Sequence, residues 1–179
     1  MKKRVFTIAL LAMLTLTASA QNSTTFLGIA VEGSKAEMTK KLLENGAVRG
    51  KNGLEISGID DVPYLIKIRT HRGKVYRLSL IESKGTDDVS LAIAKYNALL
   101  DWYKNSPDYA EYEYNRPADG SDNLKYESYV HQGVYYAEFF QQSDPQLYNR
   151  RVGFQITDAF GDYRIERMYD NIYNMPKGR

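Results

Sequence analysis

Cysteine is absent from all 179 residues, and histidine occurs only twice, at His71 and His131. Without a thiol there is no disulfide, no CxxC redox motif, no cysteine nucleophile and no thiolate metal site. Two imidazoles are too few for a multi-histidine centre, so neither a metal nor a cofactor is expected. A hydrolytic triad is as poorly served. No G-x-S-x-G elbow exists, His71 falls in a turn, and on a strand Ser128 points to the face opposite His131. Calcium is not indicated either, because the stretch holding Asp119 and Asp122 lacks the D-x-[DN]-x-[DN]-G spacing.

Long apolar runs are scarce too. The one at residues 5–17 is shorter than the ~20 residues that span a bilayer. It follows Lys2, Lys3 and Arg4 and leads to Ala18-Ser19-Ala20, which together read as a cleavable export signal over residues 1–20. No cysteine follows to carry a lipid, so no anchor is expected after cleavage. The mature chain then begins at Gln21 and is exported, periplasmic or secreted. Loss of the three N-terminal cations leaves 21 basic against 22 acidic residues, turning a formal charge of +2 into −1. That balance carries no electrostatic footprint for nucleic acid. Residues 21–179 suit one domain, large enough to bury roughly two thirds of its extended-chain surface.

What is present is the punctuation of helices and strands. Ser34 and Glu37 have the spacing of a capping box, Asn45-Gly46 closes the helix, and Met38, Leu42 and Leu43 share one face. Residues 25–31 read as one short strand before it. Residues 47–49 and 54–57 read as extended pieces after it, around Gly50, Asn52 and Gly53. Residues 62–70 and 75–82 alternate on either side of His71-Arg72-Gly73-Lys74 and predict a hairpin. Thr86-Asp87-Asp88 caps a longer helix ending near Asn105. Val89, Ala92, Tyr96, Leu99 and Tyr103 form its inner face, and Leu91, Ala98 and Trp102 widen the buried stripe. Beyond a polar stretch with strand character at 109–114, residues 124–131, 134–142, 150–159 and 163–170 read as successive antiparallel strands. The tail after Asn171 is expected to fray. The expected fold is α+β, an antiparallel sheet with two main helices on one face, arranged as two α-then-β halves that share order rather than identities.

The stretch from Phe26-Leu27-Gly28-Ile29 through Glu32-Gly33-Ser34-Lys35 to Lys40-Lys41-Leu42, with Tyr169-Asp170-Asn171-Ile172-Tyr173-Asn174, resembles small exported proteins of Bacteroides-type bacteria. That group lends no established chemistry to these residues. The tandem helix-then-sheet layout also looks like β-lactamase-inhibitor-like proteins, in which a sheet surface grips a partner protein. No inhibitory loop motif matches, so the resemblance implies an architecture and not an activity.

Thirteen of the fifteen tyrosines lie between Tyr96 and Tyr173. Tyrosine favours half-buried strands in any protein, but rows of it on one sheet face also make a flat platform for a protein or a sugar ring. Along the strand at 134–142, Tyr136 and Phe140 point one way and Tyr135 and Phe139 the other, so one set is core and the other a surface. Tyr126, Tyr129, Tyr135, Tyr136, Tyr163 and Tyr169 are the candidate binding residues; none is catalytic. The expected function is a non-enzymatic exported binding protein with a protein or glycan partner. The alternatives are a carboxylate-dependent hydrolase of glycans or peptides and a structural envelope component. The acidic pairs Asp60-Asp61, Asp87-Asp88 and Glu111 with Glu113 are better explained as turn, cap and surface-strand residues than as a catalytic couple.

Overall fold

A computed structural model describes residues 23–112, 115–120, 124, 134–141, 149–159 and 161–177. The expected export signal, the strand expected at 124–131 beyond Leu124, and the residues Tyr126, Tyr129, Ser128 and His131 lie outside the described residues.

The chain opens with a hairpin of two short strands, β1 (Thr25–Phe26) and β2 (Ile29–Ala30), then α1 (Lys35–Glu44). Four strands follow: β3 (Val48–Gly50), β4 (Gly53–Ile59), β5 (Val62–His71) and β6 (Lys74–Glu82). The second helix, α2 (Val89–Asn105), leads to β7 (Tyr109–Glu111), β8 (Val134–Gln141), β9 (Arg150–Ala159) and β10 (Asp162–Asn171), and a 3₁₀ turn at Ile172–Asn174 closes the chain. Strands β3 to β10 form one antiparallel sheet in the order β3-β4-β5-β6-β10-β9-β8-β7. Each helix is thus followed by a four-strand meander, and the last strands of the two meanders, β6 and β10, meet in the middle.

Local chemistry explains the element starts. The Ser34 hydroxyl accepts from the Glu37 N–H at 3.2 Å, and the Glu37 carboxylate accepts from the Ser34 N–H at 2.8 Å, so two otherwise orphan donors at the head of α1 are satisfied reciprocally. Asp88 caps α2 by accepting from Ser90 and Leu91, and Thr86 accepts from Asp88. The hairpin between β5 and β6 turns on Arg72 and Gly73, both at positive φ, the geometry that matches strand twist.

Both helices lie on the same face. Met38 and Leu42 of α1 and Ala92, Tyr96, Leu100 and Tyr103 of α2 join one buried cluster with Ile56, Tyr64, Ile66, Leu78, Leu80, Val152, Phe154, Ile156, Ala137 and Phe139. Leu65, Ile81 and Met168 are also buried but belong to the other face, outside that cluster.

Three expectations need correction. The stripe of Leu91, Ala98 and Trp102 is exposed, Trp102 by 55%, because α2 contacts the sheet along the single line Ala92–Tyr96–Leu100–Tyr103 and leaves its flank to solvent. Residues 25–31 are not one strand but a hairpin that reverses at Leu27 and Gly28, with Leu27 at φ 49, a conformation for which leucine gives no sequence signal. The tail is tied down as far as Met175, whose N–H donates to the Ile172 carbonyl at 3.1 Å. Asn174 donates to the Val75 carbonyl at 2.9 Å, and the Tyr173 N–H donates to Asn149 at 2.9 Å.

Candidate functional site

Strand register alone builds a patterned array on the face opposite α1 and α2, with Ser79, Met168, Gly153 and Asp170 buried and Lys67 and Arg69 exposed. One row runs across five strands as Arg69, Arg77, Asp170, Arg151 and Phe140, each residue the direct cross-strand partner of the next. The adjacent row reads Lys67, Ser79, Met168, Gly153 and Glu138. Directly opposed side chains on one face stand about 5 Å apart, so unlike charges in such a row pair.

They do. Arg77 grips Asp170 with two parallel bonds of 2.6 Å, the fork geometry only arginine offers a carboxylate. Arg151 reaches diagonally to Glu138 at 3.2 Å, and its guanidinium lies 4.2 Å from the centre of the Tyr112 ring. Tyr112 in turn meets Phe140 edge-on at 5.1 Å. Burial raises both carboxyls above their ordinary values, against the pull of Arg77 on Asp170 and of Arg151 on Glu138.

Tyr136 stands at the centre of this group. Its residue is 46% exposed, yet its hydroxyl bonds to Glu138, and burial with the nearby Glu138 and Asp170 raises its pKa. Gly153 makes room for it. A Cβ at Gly153 would sit 2.7 Å from the Tyr136 hydroxyl oxygen, so the ring rests on bare backbone. Asn115 fixes the strand beneath, accepting from the Glu138 N–H at 2.9 Å and donating to its carbonyl at 3.1 Å.

The other candidate tyrosines are distributed differently. Tyr135 sits at φ 53 in a β-bulge between Val134 and Ala137 and is buried on the helix side. Its hydroxyl donates to Asp119 and accepts from the Gly120 N–H, both at 3.1 Å. Tyr169 is buried on that same side, its ring 5.1 Å from Phe26. Tyr163 is half-buried, and its backbone pairs with Thr86 to tie the entry of α2 to β10. Tyr126 and Tyr129 lie outside the described residues. The structure therefore brings Tyr136 together with Tyr112, Phe140, Arg77 and Arg151, and places Tyr135 and Tyr169 in the core. Composition pointed to tyrosine but not to Arg77, Asp170, Glu138 and Arg151, which meet only through register.

Four of the acidic residues named from the sequence hold turn, cap or ion-pair positions, and Glu113 lies outside the described residues. Asp60 and Asp61 form the β4–β5 turn, both at positive φ, with Asp60 paired to Arg167 at 2.5 Å. Asp88 caps α2, and Glu111 pairs with Lys104 at 3.2 Å. Among the described residues no three His, Asp or Glu side chains gather as metal ligands, and no helix is long and apolar enough to cross a membrane. Compared with known proteins, the chain matches no family model, no curated protein and no solved structure.

Proposed function

We propose that this chain is a non-enzymatic, exported binding protein and that its working surface is centred on Tyr136, on the sheet face that neither α1 nor α2 covers. The partner is a protein that presents apolar groups to Tyr136, Tyr112 and Phe140 and acidic groups to the exposed Lys67 and Arg69 at the far end of the same rows. The observation that carries this reading is the half-exposed Tyr136 beside ordered Arg77 and Arg151. Tyrosine, phenylalanine, methionine and arginine are the residues enriched at interface centres, and aligned ion pairs preorganise them. The export motif supports the exported part of this reading. Glu138 and Asp170 are carboxylates a hydrolase could draw on, but each is held by an arginine rather than left to move a proton, and Glu32 and Glu37 are held by Ser23 and by the Ser34 N–H.

The test is crosslinking of the mature protein in native secretions, with two variants in parallel. Tyr136→Ala with Arg69→Glu should lose the crosslinked protein while keeping the melting temperature within about 2 °C. Trp102→Ala, on the opposite side, should keep it. The reverse pattern sinks the proposal, as does retention of a glycan alone. N-terminal sequencing of secreted material should read from Gln21.

A further inference from the structure

A second recess lies away from the open face, where the first hairpin, the start of α1, the β5–β6 turn and the closing 3₁₀ turn meet. Its volume is about 660 Å³, within the range of sites that hold small ligands. Glu32 and Glu37 supply two carboxylates to its wall, and Lys41 and Lys74 two ammonium groups, so net charge selects neither an anion nor a cation. Ser23 and the carboxamides of Asn149, Asn171 and Asn174 complete the polar lining.

Most of these groups are held in place by the fold. Ser23 donates to Glu32 at 2.9 Å, the Ser34 N–H to Glu37 at 2.8 Å, and the Asn171 amide to the Val31 carbonyl at 2.8 Å. Gly33, at φ +78, joins Glu32 to α1. A Cβ there would come within 2.9 Å of the Glu37 carboxylate and crowd the recess wall. One group is left over. Asn171 is only 3% exposed, and its Oδ1 has no hydrogen-bond partner. A buried amide oxygen without a donor costs about 1–3 kcal/mol, so one residue of the wall keeps an unmet acceptor. Tyr173, 76% exposed, contributes the one aromatic ring of the lining.

We propose that this recess binds a neutral polyhydroxylated ligand, a mono- or disaccharide. Carboxamides beside carboxylates and ammonium groups set donors and acceptors next to one another, which is what vicinal hydroxyls require. The exposed phenol ring offers the flat apolar surface on which the C–H face of a pyranose rests. The balanced wall charge gives a simple ion no advantage. This site is separate from the sheet face and does not depend on what docks there.

Saturation-transfer NMR on the mature protein tests it, with millimolar maltose, cellobiose or N,N′-diacetylchitobiose and with glycylglycine as a zwitterionic probe. At least one sugar should bind, weakened about five- to tenfold by Tyr173→Ala and measurably by Lys74→Ala, and unchanged by Tyr136→Ala. Both recess substitutions are at exposed side chains, so the circular dichroism of each variant should match the parent. The proposal is overturned if no sugar shows transfer, if only glycylglycine does, or if sugar binding ignores Tyr173 and Lys74.

Discussion

In the first half of the sheet α1 sets Met38 and Leu42 on Ile56, Ile66, Leu78 and Leu80; in the second, α2 sets Tyr96 and Tyr103 on Phe139, Phe154 and Tyr135. The two halves share an order of elements, yet one core is mainly aliphatic and the other aromatic. Tyr103 stacks on Phe154 at 5.2 Å and on Phe139 at 5.1 Å. An aliphatic core asks only for volume. An aromatic core built from tyrosine also brings hydroxyls inside, and each needs a partner. Tyr135 finds Asp119, Tyr103 donates to Tyr169, and Tyr109 bonds to Gln141. Stability in the second half is therefore coupled to tyrosine protonation at several sites, whereas among the described tyrosines of the first half it is Tyr64 whose pKa burial raises.

That difference predicts the largest effect. Burial raises the pKa of Tyr96, Tyr103, Tyr109 and Tyr169 in the second core and of Tyr64 in the first, Tyr169 to about 12. An unfolded chain releases phenolic protons near 10 while the folded chain holds them longer. Stability from these groups is thus full below pH 10 and is lost as pH rises toward the folded values, at up to about 1.4 kcal/mol per pH unit for each tyrosine. Absorbance at 295 nm should show a delayed class of tyrosines whose ionisation coincides with cooperative loss of near-ultraviolet dichroism. Titration of every tyrosine near 10 with the fold intact would erase the contrast between the halves.

Truncation in each core comes next. Phe154→Ala removes a fully buried ring that Tyr96, Tyr103 and Phe139 all touch, and should cost about 3–5 kcal/mol in urea unfolding. Ile66→Val in the aliphatic core should cost only about 0.5–1.5 kcal/mol. Equal losses at the two sites would mean that the aromatic half collapses around its cavity as readily as the aliphatic one accommodates a lost methylene.

The helix caps should erase the difference, because both helices begin with a side-chain cap. Ser34→Ala and Asp88→Ala are each expected to cost about 1 kcal/mol, with the folded dichroism unchanged. A much larger loss from either would show that one helix nucleates its half.

How legible all this was follows from the range of the interactions. The capping box at Ser34, the Arg72-Gly73 turn and the strand at Arg150–Ala159 rest on neighbours in sequence, and sequence periodicity finds them. Leu27 and Tyr135 at positive φ carry no such signal, and neither residue type invites a turn or a bulge. The charged rows were invisible for another reason. Arg77 and Asp170 are 93 residues apart, and only the pairing of β6 with β10 makes them opposite. Alternation assigned Tyr136 and Phe140 to one side of β8, but which side would stay free of helices depended on where α2 landed.

The smallest expected effect sits on α2 itself. A tryptophan on an amphipathic helix reads as core, yet Trp102 is 55% exposed and meets the protein only at its edge, 4.9 Å from Tyr103 and 5.8 Å from Tyr109. Less than half of its surface leaves water when it folds into place, and its removal opens no enclosed cavity, so the cavity cost of a core substitution does not apply. Trp102→Ala should change stability by no more than about 0.5–1 kcal/mol, the worth of an edge-on aromatic pair. Because Trp102 is the only tryptophan, the parent should emit at the long wavelength of a solvated indole, and acrylamide should quench it readily. A blue-shifted, shielded emission, or a loss of several kcal/mol on substitution, would mean that something covers this flank of α2 and that the second half is packed on two sides.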